Sequence, residues 1–147
     1  RVFIADSRER IGLFKHVSIK PNLAEAQTAT RATGQRSITA AAALLRHLRA
    51  RRVRPCFCTL STRGILVDGA EGIHHVAGFP VAGPIDPVGA GDSVTAALAV
   101  ILASGGTTTQ AALIANLVAS VTVQQIGTTG TARPSQVIER YREVSRQ

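Results

Sequence analysis

The stretch Ile85–Gly106, IDPVGAGDSVTAALAVILASGG, sets two aspartates, a proline and a glycine pair directly before a run of small apolar residues. Asp86-Pro87-Val88 reads as extended, because a residue that precedes proline is pushed out of the helical region. Gly89, Ala90 and Gly91 can then turn tightly. Beyond Asp92, the residues Val94, Ala97, Leu98, Ile101 and Leu102 recur at helical spacing, and Gly105-Gly106 ends the run. The turn therefore delivers the chain into a helix N-terminus with Asp92 in or beside its first turn. Such an end carries unpaired N–H groups and a partial positive charge, so GAGD can cradle an anion. A plain helix start with Asp92 as its cap is the competing reading. The chain contains no G-x4-G-K-S/T loop, and GAGDSV lacks the third glycine of G-x-G-x-x-G.

The elements that must position this turn follow from periodicity. Strands are expected at Val2–Ala5, Val17–Ile19, Phe57–Leu60, Ile65–Val67 and Ile73–Val76, the last two joined by a hairpin turn around Asp68-Gly69 and Glu71-Gly72. Helices are expected at 22–33, ended by Gly34, and from a Ser37 cap to about Arg52. Further helices follow from the turn itself, at Thr107–Gln125, and from Pro134 to about Ser145. Alternating strands and helices predict an α/β layered fold with a mainly parallel sheet flanked by helices, whose ligands sit beyond the strand C-termini.

With 147 residues and 45% hydrophobic content, the chain can fold around a core. No apolar run is suited to cross a membrane. The absence of methionine and the opening on a strand lead us to expect a fragment or a processed chain. Cys56 and Cys58, two apart in CFCTL, read as buried thiols of a reducing, cytoplasmic compartment rather than a disulfide. No further cysteine completes a metal set, and His74-His75 belong to a separate hairpin. The net charge of +8 owes much to LLRHLRARRVR, with Arg46, Arg49, Arg51, Arg52 and Arg54. Cations at a helix C-terminus explain this segment better than nucleic-acid binding, since one tyrosine and no tryptophan offer little to stack on bases.

Three motifs in order carry a resemblance. DPVGAGD resembles the D-[TP]-x-G-A-G-D signature of the ribokinase/PfkB carbohydrate kinase family. KPNLAEA matches its N-x-x-E motif at Asn22 and Glu25. TLSTRG resembles its T-x-G-x-x-G nucleotide loop at Thr59 and Gly64, with Ser61 where the family has glycine. ANLVASVTVQQIGTTG resembles the adenine-side helix and following turn, with Asn116 at the matching asparagine, and the IGTTGTARP ending is similar to heptose-phosphate kinase domains.

The resemblance implies a ribokinase-like fold, incomplete here. Residues 1–147 would be the C-terminal nucleotide-binding and catalytic part, and the missing N-terminal half of the same domain would supply most sugar contacts. It further implies ATP as phosphoryl donor and a sugar or sugar phosphate as acceptor. Asp92 would be the catalytic base, with Gly89, Ala90 and Gly91 as the anion hole. The nucleotide would lie along Asn22, Glu25, Thr59, Ser61, Gly64 and Asn116. Asn22 and Glu25, three apart at a helix start, would orient magnesium through water. Asp86 and the segment near Gly127 resemble the family's monovalent-cation loops, a site for potassium. A homodimer is a further partner state to test. The competing functions are a nucleotide-binding module without catalysis, separated by ATP affinity without turnover, and a basic nucleic-acid binder, separated by salt-dependent binding.

Overall fold

The computed structural model describes residues 1–33, 37–50 and 54–146, which form two compact units, Arg1–Val76 and Ala77–Gln147. The expected helix stop at Gly34, and Arg51 and Arg52 of the basic segment, lie outside the described residues.

The first unit holds a five-stranded sheet in sequence order: β1 (Ile4–Ala5), β2 (Ser18–Ile19), β3 (Cys56–Thr59), β4 (Ile65–Gly69) and β5 (Gly72–Val76). β1, β2 and β3 run parallel, whereas β4 pairs antiparallel with both β3 and β5. The fold is α/β as expected, but its sheet is evenly mixed rather than mainly parallel. The reason is loop length. β3 and β4 are joined through a single 3-10 turn, Ser61–Arg63, and β4 and β5 by two residues, so neither connection can make the crossover that a parallel pair requires. The parallel pairs have that room. A 3-10 turn at Ile11–Leu13 lies between β1 and β2, and α1 (Leu23–Thr30) and α2 (Ile38–Arg49) lie between β2 and β3.

Helix α1 stops earlier than its composition suggests. The Thr28 and Thr30 hydroxyls bond back to the Ala24 and Ala26 carbonyls (3.0 and 2.8 Å), which weakens the last turn. Arg31 then turns left-handed (φ 55°) and closes the end with bonds to the Gln27 and Thr28 carbonyls. Helix α2 starts at the expected cap, the Ser37 hydroxyl accepting the Ala40 N–H at 3.0 Å. Its last turn carries Arg46, His47 and Arg49, as the helix-end reading of the basic segment requires. Ala26, Ala41, Leu45 and Leu48 from the two helices form a core with Ile19, Cys56, Cys58 and Leu66 of the sheet. Phe57, Ile65 and Val67 alternate to the other face and are buried too, so β3 and β4 bury side chains on both sides. Among the described residues neither cysteine is in a disulfide, and both are buried.

The second unit is built of α3 (Ala90–Ala103), α4 (Thr108–Thr122) and α5 (Pro134–Val144). Val94 and Leu98 of α3 are buried, as are Ala111, Ala115 and Leu117 of α4, where small residues let neighbouring helices approach closely. Thr107 and Gln110 form a capping box that starts α4. Among the described residues no helix is long and apolar enough to cross a membrane.

Candidate functional site

In the second unit the glycine turn forms as the sequence predicts. Gly89 is left-handed (φ 77°) and caps α3, with Asp92 in the first turn. No side-chain bond caps this helix, and among the described residues the Asp92 carboxylate accepts none. The alternative of Asp92 as a simple cap therefore finds no support in the geometry. The Ala90 N–H donates to the Pro87 carbonyl (3.1 Å) and the Ser93 N–H to the Gly89 carbonyl (3.1 Å). That leaves the N–H groups of Gly91 and Asp92 as the outward donors of the helix end.

Three ties connect this turn with the loop after α4. The Asp86 carboxylate accepts the Val88 N–H with one oxygen (3.0 Å) and the Gly127 N–H with the other (2.9 Å). Those two bonds, Val88 first, hold the carboxyl below its ordinary range, outweighing a small opposing effect of burial. The Asp86 N–H also donates to the Val123 carbonyl at 2.7 Å. Next, Thr129 covers Gly89 so closely that a Cβ there would lie 2.5 Å from its Cγ2. Finally, the Ser93 hydroxyl donates to the Gly130 carbonyl at 3.3 Å. Asn116 lies elsewhere on α4. It is buried, and its amide donates to the Ala77 carbonyl at 3.0 Å, so a fold-forming contact accompanies any nucleotide role.

The first unit assembles the other motif residues. Asn22 caps α1 in a reciprocal box: its Oδ1 accepts the Glu25 N–H (2.9 Å), and Glu25 Oε2 accepts the Asn22 N–H (2.8 Å). Asn22 also pairs in parallel with Thr59, whose N–H donates to the Pro21 carbonyl at 3.0 Å. Residues 37 apart in sequence thus meet at the C-terminal ends of β2 and β3. Ser61 stands left-handed (φ 58°), the conformation that glycine takes most easily and that matches its departure from the glycine motif. The turn closes with Gly64 N–H on the Ser61 carbonyl (3.0 Å) and Leu60 N–H on the Gly64 carbonyl (2.8 Å). The 2.7 Å contact of His75 Nε2 with the Arg63 carbonyl fastens it to β5. The donor set suits magnesium held through water. The capping box engages Oε2 of Glu25, and its second carboxylate oxygen lies outside that bond.

The model of the pfkB family carbohydrate kinases matches residues 13–135, most of the chain. The chain belongs to the pfkB carbohydrate kinase family. No curated protein matches the sequence. Among solved structures, phosphofructokinase-2 from Escherichia coli, in complex with potassium, is similar with a TM-score of 0.83 at 19% identity, covering 97% of this chain and 47% of its own. Ribokinase from Arabidopsis thaliana, complexed with ribose and ATP, gives 0.74 at 22% identity, over 84% of this chain and 40% of its own. A Burkholderia thailandensis nucleoside kinase in complex with inosine gives 0.74 at 19%, over 97% and 48%. At such identities the likeness is one of fold. This pfkB chain spans less than half the length of each of the three.

Two features of the pfkB chain escaped the sequence reading. Lys20 is buried and pairs with Asp6 at 2.9 Å, joining the ends of the parallel strands β1 and β2 just before Pro21-Asn22. Its only signal was a lysine beside a motif; the partner lies 14 positions away, across a strand pairing. Ser93, Thr129 and Gly130 were likewise hidden, because their contacts join residues 37 or more positions apart, across α4 and the loops on either side of it.

Proposed function

We propose that the chain is the nucleotide-binding and catalytic part of an ATP-dependent kinase that phosphorylates a hydroxyl of a sugar or sugar phosphate. The observation that carries this reading is the start of α3, where two outward N–H groups and an unengaged carboxylate share one braced turn. The family supplies the reaction class. In such a transfer the acceptor hydroxyl oxygen bonds to the γ-phosphorus, the bond from that phosphorus to the bridging oxygen of ADP breaks, and the hydroxyl proton leaves. Asp92 accepts that proton. The Gly91 and Asp92 N–H groups face the negative charge spread over the phosphoryl oxygens and need no reorganisation to do so, while Gly89 and Ala90 keep the approach free of bulk. Asn22 and Glu25 would hold magnesium through its waters, and the ion supplies neutralisation of phosphate charge. Thr59, Ser61 and Gly64 form the turn offered to the nucleotide. Asp86 would take potassium through lone pairs that its two N–H bonds leave over. The chain spans less than half the length of its solved relatives, and the sugar contacts would come from a further segment beyond the part matched here.

Asp92→Asn in the full-length protein tests this. The amide keeps the size and the helix start but cannot take the proton. We expect kcat to fall by about 10²–10⁴-fold with ATP affinity by calorimetry nearly unchanged. Val88→Ala, whose side chain is exposed, serves as the neutral control. Near-normal turnover by Asp92→Asn would refute the assignment of the base, and ATP binding by the unaltered protein without turnover on any sugar would favour a non-catalytic nucleotide module.

A further inference from the structure

The loop after α4 does more than connect helices. We infer that Ser93 and Thr129 are positioning residues that set the anion-binding turn, acting through Gly130 and Gly89; this rests on the proposed role of that turn. Ser93 closes the first turn of α3 with its own N–H on the Gly89 carbonyl (3.1 Å), and its hydroxyl holds the Gly130 carbonyl at 3.3 Å. The backbone bond would form with any residue here; the hydroxyl is what ties the first turn to the loop. Thr129 acts on Gly89 itself. Its γ-methyl occupies the space beside Gly89 that a side chain would take. Gly89 is in the left-handed conformation, where a glycine has the widest freedom of any residue. A methyl packed on it removes that freedom without adding a bond.

The loop is itself held in place. Gln125 clasps Thr131 in both directions, Nε2 to its carbonyl at 2.6 Å and its N–H to Oε1 at 3.1 Å. Gly130 is buried against the Thr122 carbonyl at the end of α4. The loop is therefore a fixed wall, and the turn is set against it. Electrostatic stabilisation by N–H groups depends on their aim being fixed before the charge arrives, so such a wall bears on the transferred group and not on the rest of the nucleotide.

The test compares ADP with ADP plus aluminium fluoride, in magnesium, on the full-length protein. The fluoride stands in for the phosphoryl group in transfer. The unaltered protein is expected to bind ADP more tightly when the fluoride is present. Ser93→Ala, which loses the hydroxyl bond, and Thr129→Ser, which loses the packed methyl, are each expected to keep ADP affinity and lose about 5–10-fold of that enhancement. Ser93→Thr, which keeps the hydroxyl, and Thr129→Val, which keeps the methyl, are expected to retain it. Enhancement within about twofold of the unaltered protein in both truncated variants overturns the inference alone. So does a parallel loss of ADP affinity, which marks a merely structural role. If the unaltered protein shows no enhancement while binding ADP, the reading of the turn as a phosphoryl site fails, and the inference falls with it.

Discussion

Gly130→Ala examines the wall behind the proposed site. A Cβ at Gly130 would lie 2.4 Å from the Thr122 carbonyl oxygen, 2.9 Å from Thr122 Cβ and 3.0 Å from its carbonyl carbon. Relief requires a backbone shift of roughly 1 Å, since ordinary contacts begin near 3.5 Å. Thr122 cannot yield cheaply: it is 2% exposed, and its carbonyl accepts the Gln125 N–H at 3.1 Å. Gly130 cannot retreat without dragging its own carbonyl from Ser93 and straining the Gln125–Thr131 clasp. Overpacking of this kind costs about 1–3 kcal/mol, here at the upper end because backbone must move. Loss of the Ser93 bond adds about 1 kcal/mol. The reduced freedom of the unfolded alanine chain returns about 0.4–1 kcal/mol. The net is about 3 kcal/mol, which for a chain of this size lowers Tm by about 6–12 °C. Gly127→Ala, three residues away, is the matched comparison. Its φ is +73° but nothing lies within 4 Å of the new Cβ, so only left-handed strain of about 1 kcal/mol remains. Thermal and urea denaturation followed by far-ultraviolet circular dichroism measure both. A cost below about 1 kcal/mol for Gly130→Ala, or equal costs for the two variants, would refute the close approach of loop and helix.

Asp86→Asn is expected to lower stability at neutral pH, because one of the two N–H donors would then face an amide. The native carboxyl is held below its ordinary 3.8, so its contribution is present above that value and is lost as pH falls towards the lowered one. The stability gap between the variant and the native protein should therefore narrow below about pH 3.8; a gap that persists unchanged at lower pH would show that the carboxylate bonds are not its source. Burial, partly opposed by Lys20, pushes the Cys58 thiol up to about 12. Iodoacetamide at pH 8 should leave Cys58 unmodified in the folded protein and label it in urea, as read by mass spectrometry; labelling at the rate of a free thiol in native buffer would contradict its burial.

The sequence by itself determined the local pieces. Proline before the turn, two glycines in it and apolar spacing beyond it were enough to set α3 and to place Asp92 in its first turn, because each of these effects acts within a few residues. Asn22, Ser37 and Thr107 stood where caps form, as short polar side chains can reach their own helix ends. The family motifs, being short and ordered along the chain, were legible for the same reason.

Strand direction was decided by how little chain the connections spend. The β4–β5 hairpin was legible in its turn residues, but the antiparallel β3–β4 pair that makes the sheet mixed follows from a 3-10 turn too short for a crossover, which strand periodicity does not express. The end of α1 at Arg31 goes with two threonine hydroxyls competing for carbonyls and a left-handed residue closing the last turn. The buried pair Lys20–Asp6, the meeting of Asn22 with Thr59, and the seating of Gly89 against Thr129 each join residues far apart in the chain. One-dimensional spacing holds no record of such distances. They exist only once burial has brought the segments together, and it is there that a glycine turn becomes a braced one.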